Sequence, residues 1–165
     1  MSVRSYNLRA IVDADRPWLR EFMRQQWGSE FVVSRGEKHE PALLPGFVAE
    51  KDGQVVGVAT YHVSGAACEL MTIDSLVEGQ GIGAALIDAI KTAARASGCV
   101  RLWLITTNDN IDALRFYQKR GFRLVAVYPD AIAQSRKLKP EIPLIGAYDL
   151  PIRDEIELEM RLDDA

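Results

Sequence analysis

The run Glu78-Gly79-Gln80-Gly81-Ile82-Gly83-Ala84 sets three glycines at alternate positions directly ahead of an apolar helical repeat. Past Gly81 the apolar positions are Ile82, Ala85, Leu86, Ala89, Ile90, Ala93 and Ala94, the i, i+3, i+4, i+7 spacing of a helix with one buried face. A helix over 82–97, closed by Gly98, is predicted. Glycine lets a backbone approach a ligand, or take a positive φ, where a Cβ would clash. A glycine turn feeding a helix leaves several N–H groups without intrahelical partners at the positive end of the helix dipole. Such an end binds phosphate, so the run reads as a diphosphate cradle. Read for packing alone, it is a tight strand-to-helix turn.

The rest of the chain supplies a sheet for that helix. Residues 3–10 (Val3, Tyr6, Leu8, Ala10) alternate as a first strand. Asp13 or Asp15 offers a cap, Pro17 fits a first helical turn, and Trp18, Leu19, Phe22, Met23 and Trp27 form an apolar face that ends at Gly28. Residues 29–45 show no clear period and read as an irregular segment. Phe47–Glu50 and Gln54–Val63 flank Asp52-Gly53, a tight-hairpin signal. Strands follow at 66–74, at 100–106 (apolar enough to be buried on both faces), and at 122–128. A helix is predicted over 111–119, with Asn108, Asp109 or Asn110 able to cap it and Gly121 ending it. A short basic helix is predicted at 130–139, with Arg136, Lys137 and Lys139 outward. In the last strand, 152–162, Ile156, Leu158, Met160 and Leu162 face one way and Glu155, Glu157 and Glu159 the other. The order is that of a mixed sheet with helices on its faces.

A chain of 165 residues suits one domain over 1–165 and can bury roughly 70% of its unfolded surface. The net charge of −3 gives no general attraction to nucleic acid or to an anionic membrane. No basic-then-apolar leader and no apolar run of ~20 residues is present, and Cys68 and Cys99 sit in apolar runs as reduced core thiols. A cytoplasmic location is the expectation. Neither His nor Cys spacing suggests a metal.

Two stretches together resemble one family. Gly79-Gln80-Gly81-Ile82-Gly83 looks like the acyl-CoA-binding motif of the GNAT superfamily of N-acetyltransferases. Asn110-Ile111-Asp112-Ala113-Leu114-Arg115-Phe116-Tyr117, closing on Lys119-Arg120-Gly121-Phe122, is similar to its Asn-x-x-Ala…Tyr…Gly-Phe signature, about 30 residues later with a strand between. Two departures stand out. Glu78 occupies a position usually held by Arg or Gln, so its carboxylate is expected to turn to solvent. The connection from Tyr128 to Pro151 exceeds 20 residues where the family commonly has a short hairpin.

The resemblance implies an α/β (α+β) fold. Its sheet is mixed and mainly antiparallel, with helices on both faces and a central parallel strand pair splayed at the acyl-CoA site. It implies acetyl transfer from acetyl-CoA to a primary amine by direct attack in a ternary complex. The arm of coenzyme A would lie between the strands 66–74 and 100–107, against Met71, Ile73 and Asn110, with its diphosphate on Gly79, Gln80, Gly81, Ile82, Gly83 and Ala84. N–H groups near Ile73 would face the acetyl carbonyl, and Tyr117 would protonate the departing thiolate. Glu69 is the candidate base because it interrupts an apolar strand just before the glycine turn; otherwise it is an ordinary solvent-facing glutamate. His39 and His62 are further candidates, since histidine titrates near neutrality. The segments 28–45 and 129–151 would border the amine pocket, the second as a lid.

Two other readings compete. Gly79-x-Gly81-x-x-Ala84 also satisfies a dinucleotide (NAD) fingerprint, but that motif normally follows the first strand of its domain. A domain of the same fold could also hold an acyl-CoA as a sensor without transfer. The strand at 152–162, taken as an exposed edge, could pair with a second copy as a homodimer.

Overall fold

In the computed structural model, residues 5–163 are described; Val3 of the predicted first strand lies outside them. The strands are β1 (Asn7–Ala10), β2 (Val32–Ser34), β3 (Glu37–His39), β4 (Gly46–Lys51), β5 (Gln54–Ser64), β6 (Ala67–Ser75), β7 (Arg101–Thr107), β8 (Arg123–Tyr128) and β9 (Glu155–Arg161). The helices are α1 (Arg16–Trp27), α2 (Ile82–Ala96), α3 (Ile111–Lys119) and α4 (Ala131–Leu138). Seven strands form one sheet in the order β1-β4-β5-β6-β7-β9-β8, and β2 and β3 form a separate hairpin. Only β6 and β7 run parallel. The expected mixed, mainly antiparallel sheet with one central parallel pair is therefore present.

Local chemistry explains most of the elements. Asp52 and Gly53 take φ of 51° and 76°, the paired positive values of a tight turn between β4 and β5. Gly28 ends α1 in the left-handed conformation, its N–H donating to the Arg24 carbonyl. One face of the sheet carries α1, whose Leu19, Phe22 and Met23 pack with Val32, Ala42 and Val58. The larger core, with Ile82, Leu86 and Ile90 of α2 and Tyr117 of α3 against Leu70, Leu102 and Leu158, covers the other face. At Gly57 of β5 an added Cβ would stand 2.5 Å from Ile82 Cγ2 and 3.3 Å from Leu86 Cδ1. Gly57→Ala is thus expected to cost about 1–3 kcal/mol through overpacking, read as a lower urea midpoint. An unchanged midpoint would show that the helix does not rest on the strand this closely.

Several expectations need correction. The irregular segment 29–45 contains the β2–β3 hairpin, turned by Arg35 and Gly36 at φ of 48° and 78°. Strand β7 is not buried on both faces: Leu102 and Leu104 are buried, while Arg101 on the opposite face pairs with Glu157 and Glu159. Strand β9 is not an edge, because it lies between β7 and β8; β8 is the edge, with Leu124 and Val127 exposed. The glutamates of β9 are not a solvated row either, since Glu155 is buried and accepts from the Arg35 N–H and guanidinium. Lys139 does not point outward. It is buried, and its Nζ donates to the carbonyls of Trp27 (2.8 Å) and Phe31 (3.2 Å).

Candidate active site

Pairing between β6 and β7 stops after three residues: Ala67 with Arg101, Cys68 with Leu102, Glu69 with Trp103. Beyond that point the strands part. Strand β6 also carries a bulge. Tyr61 faces Leu70 and Thr60 faces Thr72, which leaves Met71 as an extra residue. The bulge resets the alternation. Cys68 and Leu70 sit in the α2 core, Met71 packs on the α1 side, and Ile73 returns to the α2 core. A cavity of about 660 Å³ opens at the split and is lined from both faces of the sheet. Trp27, Val32, Ser34 and Ile132 line it on one side, and Gly81, Gly83, Phe116 and Tyr117 on the other.

The glycine turn forms one end. Gly79 and Gly81 take φ of 75° and 70°, and a Cβ at either would meet nothing within 4 Å. Gly81 is the N-cap of α2 and supplies no side chain, so no side chain closes that helix end. Its first N–H groups therefore remain available at the positive end of the dipole. Tyr6 fixes the turn from behind, its hydroxyl donating to the Gly81 carbonyl at 3.2 Å. Gly83 is needed for contact, because a Cβ there would lie 2.9 Å from Phe116 Cζ. Arg120 adds a positive charge to this lining; its guanidinium stacks 3.5 Å over the Phe116 ring, and its Nε is buried without a partner among the described residues. Bare amides, an open backbone and a guanidinium form a donor set that fits a diphosphate. Glu78 is exposed at the rim, as expected for a carboxylate beside such a site.

Asn110 caps α3, its Oδ1 accepting from the Ala113 N–H at 3.2 Å, and it also lines the cavity. Asn110→Ala should cost about 1 kcal/mol in denaturant unfolding, and Asn110→Ser should restore it, since both residues cap. Failure of serine to rescue would point away from capping. About two turns later, Tyr117 is buried between Phe116 and Phe122, in edge contacts at 5.2 and 5.4 Å. Its hydroxyl makes no hydrogen bond to the described residues, yet the side chain lines the cavity. Burial pushes the phenol well above its ordinary pKa, and the Asp74 charge adds to the shift. The group stays a protonated donor at any working pH.

Glu69 is not the solvent-facing glutamate of the alternative reading. It is 6% exposed, at the last paired position before the strands split. Burial drives its carboxyl up to about 7; the Ser34 hydroxyl, which donates to it, pulls the other way, and Glu37, Glu155 and Glu157 add to the rise. A carboxyl poised near neutrality inside a cavity can exchange a proton there. Ser34 went unnoticed in the sequence. The available signal was Arg35-Gly36 between two short apolar or alternating stretches, a two-residue hairpin turn.

Of the residues expected to hold the acyl carrier, Met71, Ile73, Gly79, Gly81, Ile82, Gly83 and Asn110 line this one cavity with Glu69 and Tyr117. Gln80 and Ala84 are not in its lining; Gln80 accepts instead from the Ser5 hydroxyl at 3.2 Å. His39 and His62 stand together at 5.4 Å between ring centroids, outside the lining, and burial lowers the pKa of His39 with His62 adding to the effect. The segment 129–151 forms part of the wall. Ile132 of α4 lines the cavity, Lys139 ties to Trp27 and Phe31, and Arg136 donates to the carbonyls of Ile142, Pro143 and Ile152.

Known proteins bear on this arrangement. The uncharacterized Bacillus subtilis (strain 168) proteins YdhI and YxbD are 41% and 43% identical over 147 and 142 residues. Those matches span 88% and 86% of this chain, and 91% and 89% of the two proteins. A solved IAA acetyltransferase from Bacillus cereus ATCC 14579 superposes with a TM-score of 0.70 at 25% identity, covering 95% of this chain and 99% of that one. A GNAT family acetyltransferase from Elizabethkingia anophelis, solved with acetyl-CoA bound, shares the fold with a TM-score of 0.65 at 18% identity, covering 95% and 98%. The acetyltransferase (GNAT) family model matches residues 9–122, from β1 to the turn after α3. The chain belongs to the GNAT family of acetyltransferases.

Proposed function

We propose that this protein moves an acetyl group from acetyl-CoA to a primary amine by direct attack, with both substrates in the cavity at once. The observation that carries the reading is the split between β6 and β7, which joins the uncapped glycine turn on one side of the sheet to buried Glu69 on the other. When bound, the thioester supplies an activated acyl group. Gly79, Gly81 and the first turn of α2 would hold the diphosphate, and Asn110, Met71 and Ile73 would flank the arm. Glu69 takes a proton from the incoming ammonium, which is otherwise protonated near neutrality with a pKa of about 10.4. As the C–N bond forms and the C–S bond breaks, Tyr117 donates its phenolic proton to the leaving sulfur, and the second proton shed by the amine nitrogen balances the one that restores the phenol. Backbone N–H groups near Ile73 would steady the charge on the carbonyl oxygen, an effect worth about 3–4 kcal/mol elsewhere. Holding both reactants together contributes on the order of 7–11 kcal/mol.

The test is thiol release from acetyl-CoA across a panel of amines, with mass spectrometry of the acetylated product. Amine-dependent release supports the reading. Tight acetyl-CoA binding with no transfer to any amine would favour the sensor instead, and binding of NADH in place of acetyl-CoA would favour the dinucleotide reading.

A further inference from the structure

We propose that Ser34 is a positioning residue for the base: its hydroxyl, brought in by the β2–β3 hairpin, holds the Glu69 carboxylate ready to take the proton of the amine. The inference rests on the acetyl-transfer reading and adds a residue to that site.

Ser34 and Glu69 are both buried, at 7% and 6% exposure, and both line the cavity. The Ser34 hydroxyl donates to Glu69 Oε1, and among the described residues it is the one hydrogen-bond donor to that carboxyl. The hairpin that carries it is held on both sides of Ser34. Two residues earlier, Val32 packs with Leu19, Phe22 and Met23 of α1. Immediately after Ser34 the chain turns at Arg35 and Gly36, and Arg35 is tied to Glu155 of β9. Its N–H donates at 3.1 Å and its guanidinium at 3.3 Å, and that guanidinium lies 3.4 Å over the Tyr128 ring. A residue fixed before and after by packing and hydrogen bonds presents its side chain in one place.

A hydroxyl that donates to a carboxylate favours the ionised form, which is the form able to accept a proton. The rest of the surroundings act the other way. Burial disfavours the charge most, and Glu37 of β3 with Glu155 and Glu157 of β9 add repulsion. The arginines of this region are engaged with other carboxylates, Arg35 with Glu155 and Arg101 of β7 with Glu157 and Glu159. His62 of β5 is the cross-strand neighbour of Glu69, and the ring of His39 stands 5.4 Å from that of His62. Burial holds His39 below its ordinary pKa. Loss of the Ser34 hydroxyl would leave burial and repulsion unopposed at Glu69.

The experiment follows the Glu69 carboxyl by infrared titration of the resting protein, without substrate, using the protonated carbonyl band that disappears in Glu69→Gln. The wild-type midpoint is expected at about 7. Ser34→Ala should raise it by about one pH unit, a tenfold change in the ionisation constant, on the scale of one hydrogen bond to a charged group. The sign separates the two roles open to Ser34. Were the serine there for packing alone, alanine would loosen the hairpin, water would reach the carboxyl, and the midpoint would fall as desolvation eased. Ser34→Thr keeps a hydroxyl and should return the midpoint to the wild-type value. With saturating acetyl-CoA and the fastest amine of the panel, the rising limb of kcat against pH should move up with the infrared midpoint in Ser34→Ala. Its rate should then fall about fivefold at pH 7 and recover by pH 9. An unchanged or lowered infrared midpoint in Ser34→Ala would overturn the proposal and leave acetyl transfer standing. A raised midpoint with an unmoved rate limb would overturn it too, by taking Glu69 out of the rate. Absence of thiol release with every amine, despite bound acetyl-CoA, would overturn the acetyl-transfer reading and the proposal with it.

Discussion

Glu69→Gln is expected to lower kcat by about 10²-fold or more and, at the same time, to stabilise the protein above neutral pH. The two effects share one cause. The folded protein holds this carboxyl near 7, against an ordinary 4.5, chiefly because burial penalises its charge. Between those values the folded state binds the proton more tightly than the unfolded chain does. Stability from this group is therefore present in full below about 4.5 and is lost as pH rises through about 7. Glutamine keeps an acceptor for the Ser34 hydroxyl and carries no charge. The variant should match the wild type at pH 4 and exceed it by on the order of 3 kcal/mol at pH 8. Denaturant unfolding at the two pH values reads this directly. The wild-type rate should climb with pH through about 7 as the base ionises, and that limb should vanish in the variant. Equal stabilities at pH 8, together with an unaltered pH–rate profile, would remove Glu69 from the chemistry.

Tyr117→Phe should lower kcat by roughly 10²-fold while leaving the KM for acetyl-CoA within about twofold. The ring is held by Phe116 and Phe122 at 5.2 and 5.4 Å, and phenylalanine keeps both contacts. The hydroxyl has no hydrogen bond among the described residues, so deleting it leaves no partner stranded and should change stability by less than about 1 kcal/mol. This separates proton donation from packing. A full rate in the phenylalanine variant would show that the thiolate leaves without help from this residue, while an unfolded variant would place Tyr117 in the core alone.

The parts of the site legible in the sequence are those made by neighbours in the chain. The glycine turn, the capping of α3 and the placement of Tyr117 on its inner face depend on residues within a few positions of one another; the structure has the turn and Tyr117 where the spacing put them and selects Asn110 from the three possible caps. The Asp52-Gly53 hairpin is of the same kind. The β2–β3 hairpin was hidden because three-residue strands are too short to show a period. Glu69 illustrates the boundary: its position in a strand was readable, but its burial depends on Ser34, 35 residues earlier.

Strand β9 shows the same limit on a larger scale. Its alternation was plain, yet alternation says nothing about which strands lie on either side, and insertion between β7 and β8 turned Glu155 from a surface residue into a buried one held by Arg35. Lys139 likewise looks like a solvated charge until α4 docks and presents it with two carbonyls. The sequence by itself determined most of the elements and the glycine turn ahead of α2, because capping, turn geometry and helical periodicity act over a few residues. Only the tertiary structure decided which glutamates are buried, where β6 and β7 separate, and which residues line the far side of the cavity. Those outcomes depend on desolvation and on partners brought from 35 to 120 residues away.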